Sequence, residues 1–345
     1  MKKLYFPILK AKVGELTAIK ELSDDIRTSV LPILQLPEPN QSFNKPLRTA
    51  DSKYVSDRIK AIKKSVKKMP FILDTSLIAL EPELERLIIC YFSDIDFYPL
   101  IDISQSRNIY QACLKHGYTP KKICLKLSGY YISDINTPIL LRQIIDSLGC
   151  EETDIILLLD LEDISAVEIN ELAAPVSSFF TTINNEFNFN TIILGTGAFP
   201  SSLAGVLPWQ YYYYQRRDWK LYKMVSREVP DIQFGDYTIN AAAITNGPSF
   251  RGPSSIRYTL DDNFVVVKGI LTDPLGQPPS AQHIKLSKLI VQNAAYKGLN
   301  YSWGDKHIHR CTQPLQPNTG NHSTWRAVGT SHHVTLVVEA LSKLA

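Results

Sequence analysis

The chain has 345 residues, 44% hydrophobic and 21% charged, which excludes a disordered protein and leaves room for one large α/β domain with insertions or two smaller domains. Its 37 basic and 34 acidic residues leave a formal charge of +3, so no whole-molecule field draws it onto nucleic acid or anionic lipid, and any such binding needs a local patch. Five scattered cysteines without a CxxC pair exclude a disulfide framework, and no run nears the ~20 apolar residues of a membrane span.

Pro7 breaks the opening apolar stretch before a signal core can form. The expectation is a cytoplasmic protein without membrane contact. Residues 4–9 read as a first strand ending at Lys10, and Gly14 and Glu15 open a helix through Leu16, Ile19 and Leu22. Residues 30–34 form a second strand ending at Gln35. A Pro- and Asn-rich loop follows at 37–46, and Asp51 caps a basic amphipathic helix over 54–66. Strand three is 70–74, followed by a helix over 81–92. Strand four is 97–102, followed by a helix over 106–116 that stops at Gly117. Strand five, 122–127, precedes a helix that begins near Pro138 and ends at Gly149.

The stretch DIILLLDLED at 154–163 is the clearest strand, apolar enough to be buried on both faces as in a parallel sheet covered by helices. A helix from 166 to 183, strand seven at 191–195, an aromatic helix over 208–226 and strand eight at 231–236 complete the rhythm. Eight strand-then-helix units without hairpin signals predict a (β/α)8 TIM-like barrel over 1–236. An open doubly wound sheet is the alternative. The barrel is favoured because the count reaches eight and no Gly-rich phosphate turn follows the first strand. Residues 237–280 break the rhythm. SIRYTL and NFVVVKG flank Asp261 and Asp262 as a β-hairpin insertion, and 281–297 is read as the final barrel helix. A tail rich in His and Trp, 298–345, ends in a short helix over 334–344 and is expected to pack on the barrel mouth.

In a barrel the strand ends meet at one face, which gathers Lys10, Gln35, Asp74, Asp102, Lys126, Asp160, Thr196 and Asp236. Asp74, Asp102 and Asp160 are hard oxygen ligands that could hold Mg²⁺ or another divalent cation. The plainer reading is that strand-end aspartates cap the turns that follow. Lys126, between Leu125 and Leu127, weighs against caps alone, because a lysine in an apolar strand must reach solvent, an acid or an anionic ligand.

In the tail, HIHRC at 307–311 offers a soft-metal face if extended. The run 320–333 holds Trp325, Arg326, His332 and His333, of which at most one of the adjacent histidines is expected to work, against a plain clamp of the tail onto the barrel. WQYYYYQRRDWKLY at 209–222 interleaves rings and guanidinium groups as a single-strand binding surface would, or forms an outer helix with one wet aromatic face.

YFPILKAKVGEL at 5–16, SWGD at 302–305 and WRAVGTSHHVTLV at 325–337 resemble the beta protein family, which occurs in phages and in bacterial genomes near mobile or defence genes. The resemblance runs the length of the chain, implies a phage-conflict setting and supplies no catalytic residues. Glu15, Trp303, Asp305, Trp325, Arg326, His332 and His333 fall inside those marks, and Ser331 stands where the family pattern would have Asn.

Two readings follow. As a metal-dependent phosphodiesterase acting on nucleic acid or a nucleotide, the chain uses Asp74, Asp102 and Asp160 on the metal, Asp236 beside them, Lys126 and Arg326 on phosphate, and His332 on the leaving group. Lys10, Glu15, Gln35, Trp303, Asp305, Trp325 and His333 then line the substrate or partner. As a non-catalytic module, the same mouth and tail recognise a phage protein or a partner encoded nearby, and the acids are caps or ion pairs.

Overall fold

The computed structural model describes residues 3–39, 51–105, 109–242, 252–271, 279–313 and 318–344. The chain begins β1 (Tyr5–Lys10), α1 (Val13–Lys20), α2 (Asp24–Arg27), β2 (Ile33–Gln35), α3 (Ser52–Val66), β3 (Phe71–Asp74) and α4 (Pro82–Phe92). It continues with β4 (Phe97–Asp102), α5 (Ile109–Lys115), β5 (Ile123–Ser128), α6 (Thr137–Leu148), β6 (Ile155–Asp163), α7 (Ile169–Glu186) and β7 (Thr191–Gly197). Then come β8 (Tyr211–Gln215), α8 (Arg217–Glu228), β9 (Gln233–Asp236), β10 (Ser255–Thr259), β11 (Asn263–Lys268), α9 (Pro279–Gln292), α10 (Trp303–Arg310) and α11 (His322–Ser342). Parts of the loop at 37–46, the start of the helix at 106–116 and parts of the insertion and tail lie outside the described residues. Among the described residues no helix is long and apolar enough to cross a membrane.

β1 to β7 and β9 close into an eight-stranded parallel barrel. Side chains alternate along each strand. Phe6, Ile8, Ile33, Ile72, Leu100, Cys124, Ile156, Leu158 and Ile193 fill the interior. Their neighbours Leu9, Leu34, Leu73, Ile101, Leu125, Leu157, Leu194 and Phe234 face the outer helices. The open sheet kept as the alternative is therefore ruled out by the closing pair, β1 on β9.

The expected hairpin is there as β10 and β11, but the insertion is larger. Residues 211–215, expected inside the aromatic helix over 208–226, form a third strand, β8, antiparallel to β11. Four consecutive tyrosines suit a pleated surface, and Tyr212 and Tyr213 lie opposite Val266 and Val265. Only from Arg217 does the chain turn helical.

The last outer helix also differs from expectation. α9, read from sequence as the eighth barrel helix, puts Leu286 and Ile290 into the insertion core with Ile256, Tyr258, Val265 and Val267. The place beside α1 is taken by α11, whose Val334, Val337, Val338 and Leu341 join the barrel–helix layer. α11 starts well before the expected residue 334, at a capping box in which Asn321 and Thr324 satisfy each other's backbone amides. Its first half, with Trp325 and Val328, belongs to the insertion core. One helix thus joins the two layers.

The helices around α11 approach closely through glycine. A Cβ on Gly304 of α10 would stand 2.1 Å from the Val328 carbonyl oxygen. Gly304→Ala must push α10 off α11 and is expected to lower stability by about 1–3 kcal/mol, read by urea denaturation. Wild-type stability in that variant would show that the two helices separate freely.

Candidate functional site at the barrel mouth

The inward alternation that fills the barrel carries on to its mouth, where Lys10, Gln35, Asp74, Asp102, Lys126 and Asp160 continue the interior positions of β1 to β6. Lys10, Gln35 and Asp74 lie side by side in register, as do Asp102 and Lys126. The Lys126 ammonium is 3.3 Å from Asp102 Oδ2 and 3.8 Å from Asp160 Oδ2.

The capping role and the mouth role coexist on the same carboxylates. One oxygen of each acid accepts from the backbone N–H two residues on: Asp74 from Ser76, Asp102 from Ser104, Asp160 from Glu162. The second oxygen is left for the mouth. Asp74 Oδ2 accepts from Gln35 Nε2 at 2.9 Å, and Asp160 Oδ2 accepts from the Tyr237 hydroxyl at 2.6 Å. Burial pushes the Asp160 carboxyl up to about 6, against the pull of Lys126, Tyr237 and the Glu162 amide. Burial also works against the Lys126 ammonium, but Asp160, Asp74 and Asp102 outweigh it and hold the pKa above the usual lysine value.

That arrangement fits a divalent cation poorly. The point between Asp102 and Asp160 is already filled by the Lys126 ammonium, and among the described residues no group of three His, Cys, Asp or Glu is spaced to hold a metal. Beside the mouth, the segments after β3 and β4 enclose a cavity of about 450 Å³ lined by Thr75, Ser76, Leu80, Ser104, Gln105 and Ile109.

Asp236 and Thr196 are not part of the mouth. They share the outward alternation of Phe234 and Leu194, and Asp236 lies in a sealed cluster between barrel and helices. Its carboxylate accepts from the Tyr5 hydroxyl and from the Thr238 amide, meets His333 Nε2 at 2.9 Å and lies 3.9 Å from Arg216. Burial acts against the charged form, yet His333 and Arg216 keep the Asp236 pKa below the usual carboxylate value, and burial lowers that of His333.

His332, expected to protonate a leaving group at the mouth, is fully buried under the insertion. Its Nδ1 meets Asp305 Oδ2 at 2.8 Å and its Nε2 meets the Thr259 carbonyl at 2.8 Å. Both adjacent histidines are therefore engaged, on different carboxylates, with Thr259 shared: its hydroxyl bonds His333 Nδ1. Tyr258 and Ser302 also donate to Asp305. Trp325 stacks on His283 with centroids 4.5 Å apart, and Trp303 packs near His307 in the same insertion core, not on the mouth. HIHRC is helical, so its alternate residues do not share a face, and buried His307 is used by Thr319 and Arg310. Arg216, expected on a base-stacking surface, is fully buried against Trp219 and Phe264.

Glu15 and Arg326 form a separate group beside β1. Asn240 Nδ2 donates to Glu15 Oε1 at 3.1 Å, and Asn240 Oδ1 accepts from Arg326. Burial pushes the Glu15 carboxyl up to about 7, with Arg326, Lys12 and Lys10 acting the other way. Sequence reasoning missed Tyr237 and Asn240, just past the last barrel strand. Counting the inward alternation on from Gln233 and Gly235 would have reached Tyr237.

No curated protein matches the chain. Among solved structures, wild-type GGGPS from Thermoplasma volcanium is 10% identical with a TM-score of 0.37, covering 69% of this chain and 85% of that one. A GH128 endo-beta-1,3-glucanase from Amycolatopsis mediterranei is 13% identical with a TM-score of 0.30, covering 54% of this chain and 84% of its own. The Beta protein family model matches residues 5–339, a span holding every barrel strand, the insertion and nearly all of α11, and the chain belongs to that family.

Proposed function

We propose that this protein is a hydrolase working at the barrel mouth in conflict between phage and bacterium, with a phosphodiester as the substrate class. The observation that supports it most is Lys126 held between Asp102 and Asp160, with Asp160 titrating near 6. A lysine held charged by three acids is a fixed cation and not an amine nucleophile. A carboxyl raised toward neutrality suits proton transfer. In this reading Asp160 takes a proton from the attacking water and returns it to the leaving oxygen. Lys126 faces the charge that develops on phosphorus-bound oxygen, and Asp102 and Tyr237 hold Lys126 and Asp160 in place. The adjoining cavity takes the rest of the substrate. Mg²⁺ or another divalent cation enters this proposal as a counterion carried in with the phosphate.

The test is an assay of single-stranded nucleic acid, duplex and cyclic nucleotides, each with EDTA and with Mg²⁺. Cleavage that persists in EDTA and falls about 10²–10³-fold in Lys126→Met is the expected result. No cleavage of any substrate under either condition would overturn it.

A second reading, recognition of a protein partner, is favoured by β8. Arg216 N donates to Asp262 O, which fixes the alternation along the strand. Tyr212 and Tyr214 therefore pair with β11, while the backbone groups of Tyr211, Tyr213 and Gln215 point away from it. Tyr213 is 51% exposed, and 211–215 carries no charge or proline to blunt the edge. Loss of phage restriction in Tyr213→Pro with its retention in Asp160→Asn would favour this reading over the hydrolase.

A further inference from the structure

Lys10 stands across the mouth from Lys126, β1 being diametrically opposite β5 in the eight-stranded ring. The two ammonium groups have opposite surroundings. Lys126 has three carboxylates around it. The Lys10 ammonium makes no hydrogen bond or ion pair among the described residues, and its charged neighbours are Lys12, Glu15 and Arg326. Of these only Glu15 is an acid. That acid is held by Asn240, and at a pKa of about 7 much of it is uncharged near neutral pH.

Placing an ammonium half-buried, with two more cations close by and one weak acid, has a cost that a protein does not normally leave uncompensated. Burial and Lys12 accordingly lower the Lys10 pKa, and Arg326 adds to this while Glu15 opposes it. We infer that Lys10, with Lys12 and the Arg326 guanidinium beside it, is an anion-binding corner that takes an oxyanion group, phosphate or carboxylate, of the ligand that enters the mouth. Arg326 is committed on one nitrogen to Asn240 Oδ1 and the Ile239 carbonyl, so it acts as a fixed positive field behind the corner. Lys10 makes the contact. The mouth is then bipolar, with a basic corner on β1 and an acid-ringed lysine on β5. The inference holds whether the protein turns its ligand over or only binds it.

Inorganic phosphate and succinate serve as the two probes, each at an ionic strength matched with sodium chloride. In the wild-type protein, brief acetylation with acetic anhydride followed by peptide mass spectrometry reads the reactivity of each lysine. Phosphate or succinate is expected to protect Lys10, with no protection of the outlying Lys20 or Lys121. Protection by phosphate alone assigns a phosphate-bearing ligand, and protection by succinate assigns a carboxylate. Calorimetry then gives affinities, expected to fall tenfold or more in Lys10→Met and to return in Lys10→Arg. The corner is disproved if neither anion protects Lys10 beyond sodium chloride, or if a folded Lys10→Met binds phosphate as tightly as wild type. Because protection is read on unmodified protein, a Met variant that does not fold leaves the decision intact.

Discussion

Replacing His332 by alanine is expected to lower the stability of the protein by about 3–5 kcal/mol, the largest effect of any single change considered for this chain. His332 and Asp305 are both fully buried, and the imidazole is bonded at both nitrogens, to a carboxylate oxygen and to the Thr259 carbonyl. Both ring nitrogens are thus engaged in the closed interior. The ring also stacks on Tyr258 with centroids 3.8 Å apart. Removing it leaves the buried Asp305 carboxylate with Ser302 and Tyr258 as donors but without its imidazole partner, and opens a cavity where α10, α11 and β10 meet. The Asp305 pKa falls below 3.8, since His332, Ser302 and Tyr258 together overcome the burial that would raise it. A carboxyl depressed in the folded state gives stability that is full above its unfolded pKa and lost as pH falls through the folded one. The contribution of the Asp305 carboxylate should therefore be complete above its unfolded pKa and be lost on acidification below about pH 4. Urea denaturation followed by tryptophan fluorescence checks both points. A loss under ~1 kcal/mol at pH 7 would mean the pair contributes little beyond packing.

The places where reading the sequence succeeded and failed have physical reasons. The strands were legible because the inner sheet of a barrel is buried on both faces, so runs such as residues 155–159 are apolar without interruption. Asp74, Asp102, Asp160 and Lys126 could be gathered because each ends such a run on the interior alternation. Asp236 also ends its run, but QFGD is too short to show its alternation, and the residue faces the helices instead. α11 was misread for the reason that makes it central. It is covered by the insertion at one end and by the barrel along the other, so its buried residues are nearly continuous from Trp325 to Val338 and leave no 3.6-residue stripe. Read without a stripe, WRAVGTSHHV looked like a polar site. The insertion strand at residues 211–214 was hidden similarly, since four tyrosines in a row match a helix face and a pleated strand equally well.

Asp160→Asn is expected to separate function from stability. In the wild type, burial raises the Asp160 carboxyl from 3.8 to about 6, so keeping it ionised at pH 7 costs about 3 kcal/mol relative to the unfolded chain. For a group raised in the folded state the favourable contribution is complete below the unfolded pKa and is lost as pH rises through the folded one. Wild-type stability should thus decline between about pH 4 and pH 6 from this residue. Asparagine keeps the oxygen that accepts from the Glu162 amide and removes the charge, while Lys126 retains Asp102 at 3.3 Å. The variant should be more stable than wild type by about 1–2 kcal/mol at pH 7, less than the full ~3 because Lys126 loses one partner and the Tyr237 hydroxyl must turn. Its hydrolysis should fall by about 10²–10⁴-fold, the contribution of a lost proton-transfer group. Glu15→Gln gives the comparison, since the Glu15 carboxyl rises from 4.5 to about 7 and its variant should flatten that higher window instead. A variant at Asp160 that is less stable than wild type at pH 7, or that declines as steeply between pH 4 and pH 6, would show that this carboxylate is held for structure. Greater stability together with lost hydrolysis would fit the proposed hydrolase, in which a carboxylate is kept at the mouth against its own stability for proton transfer.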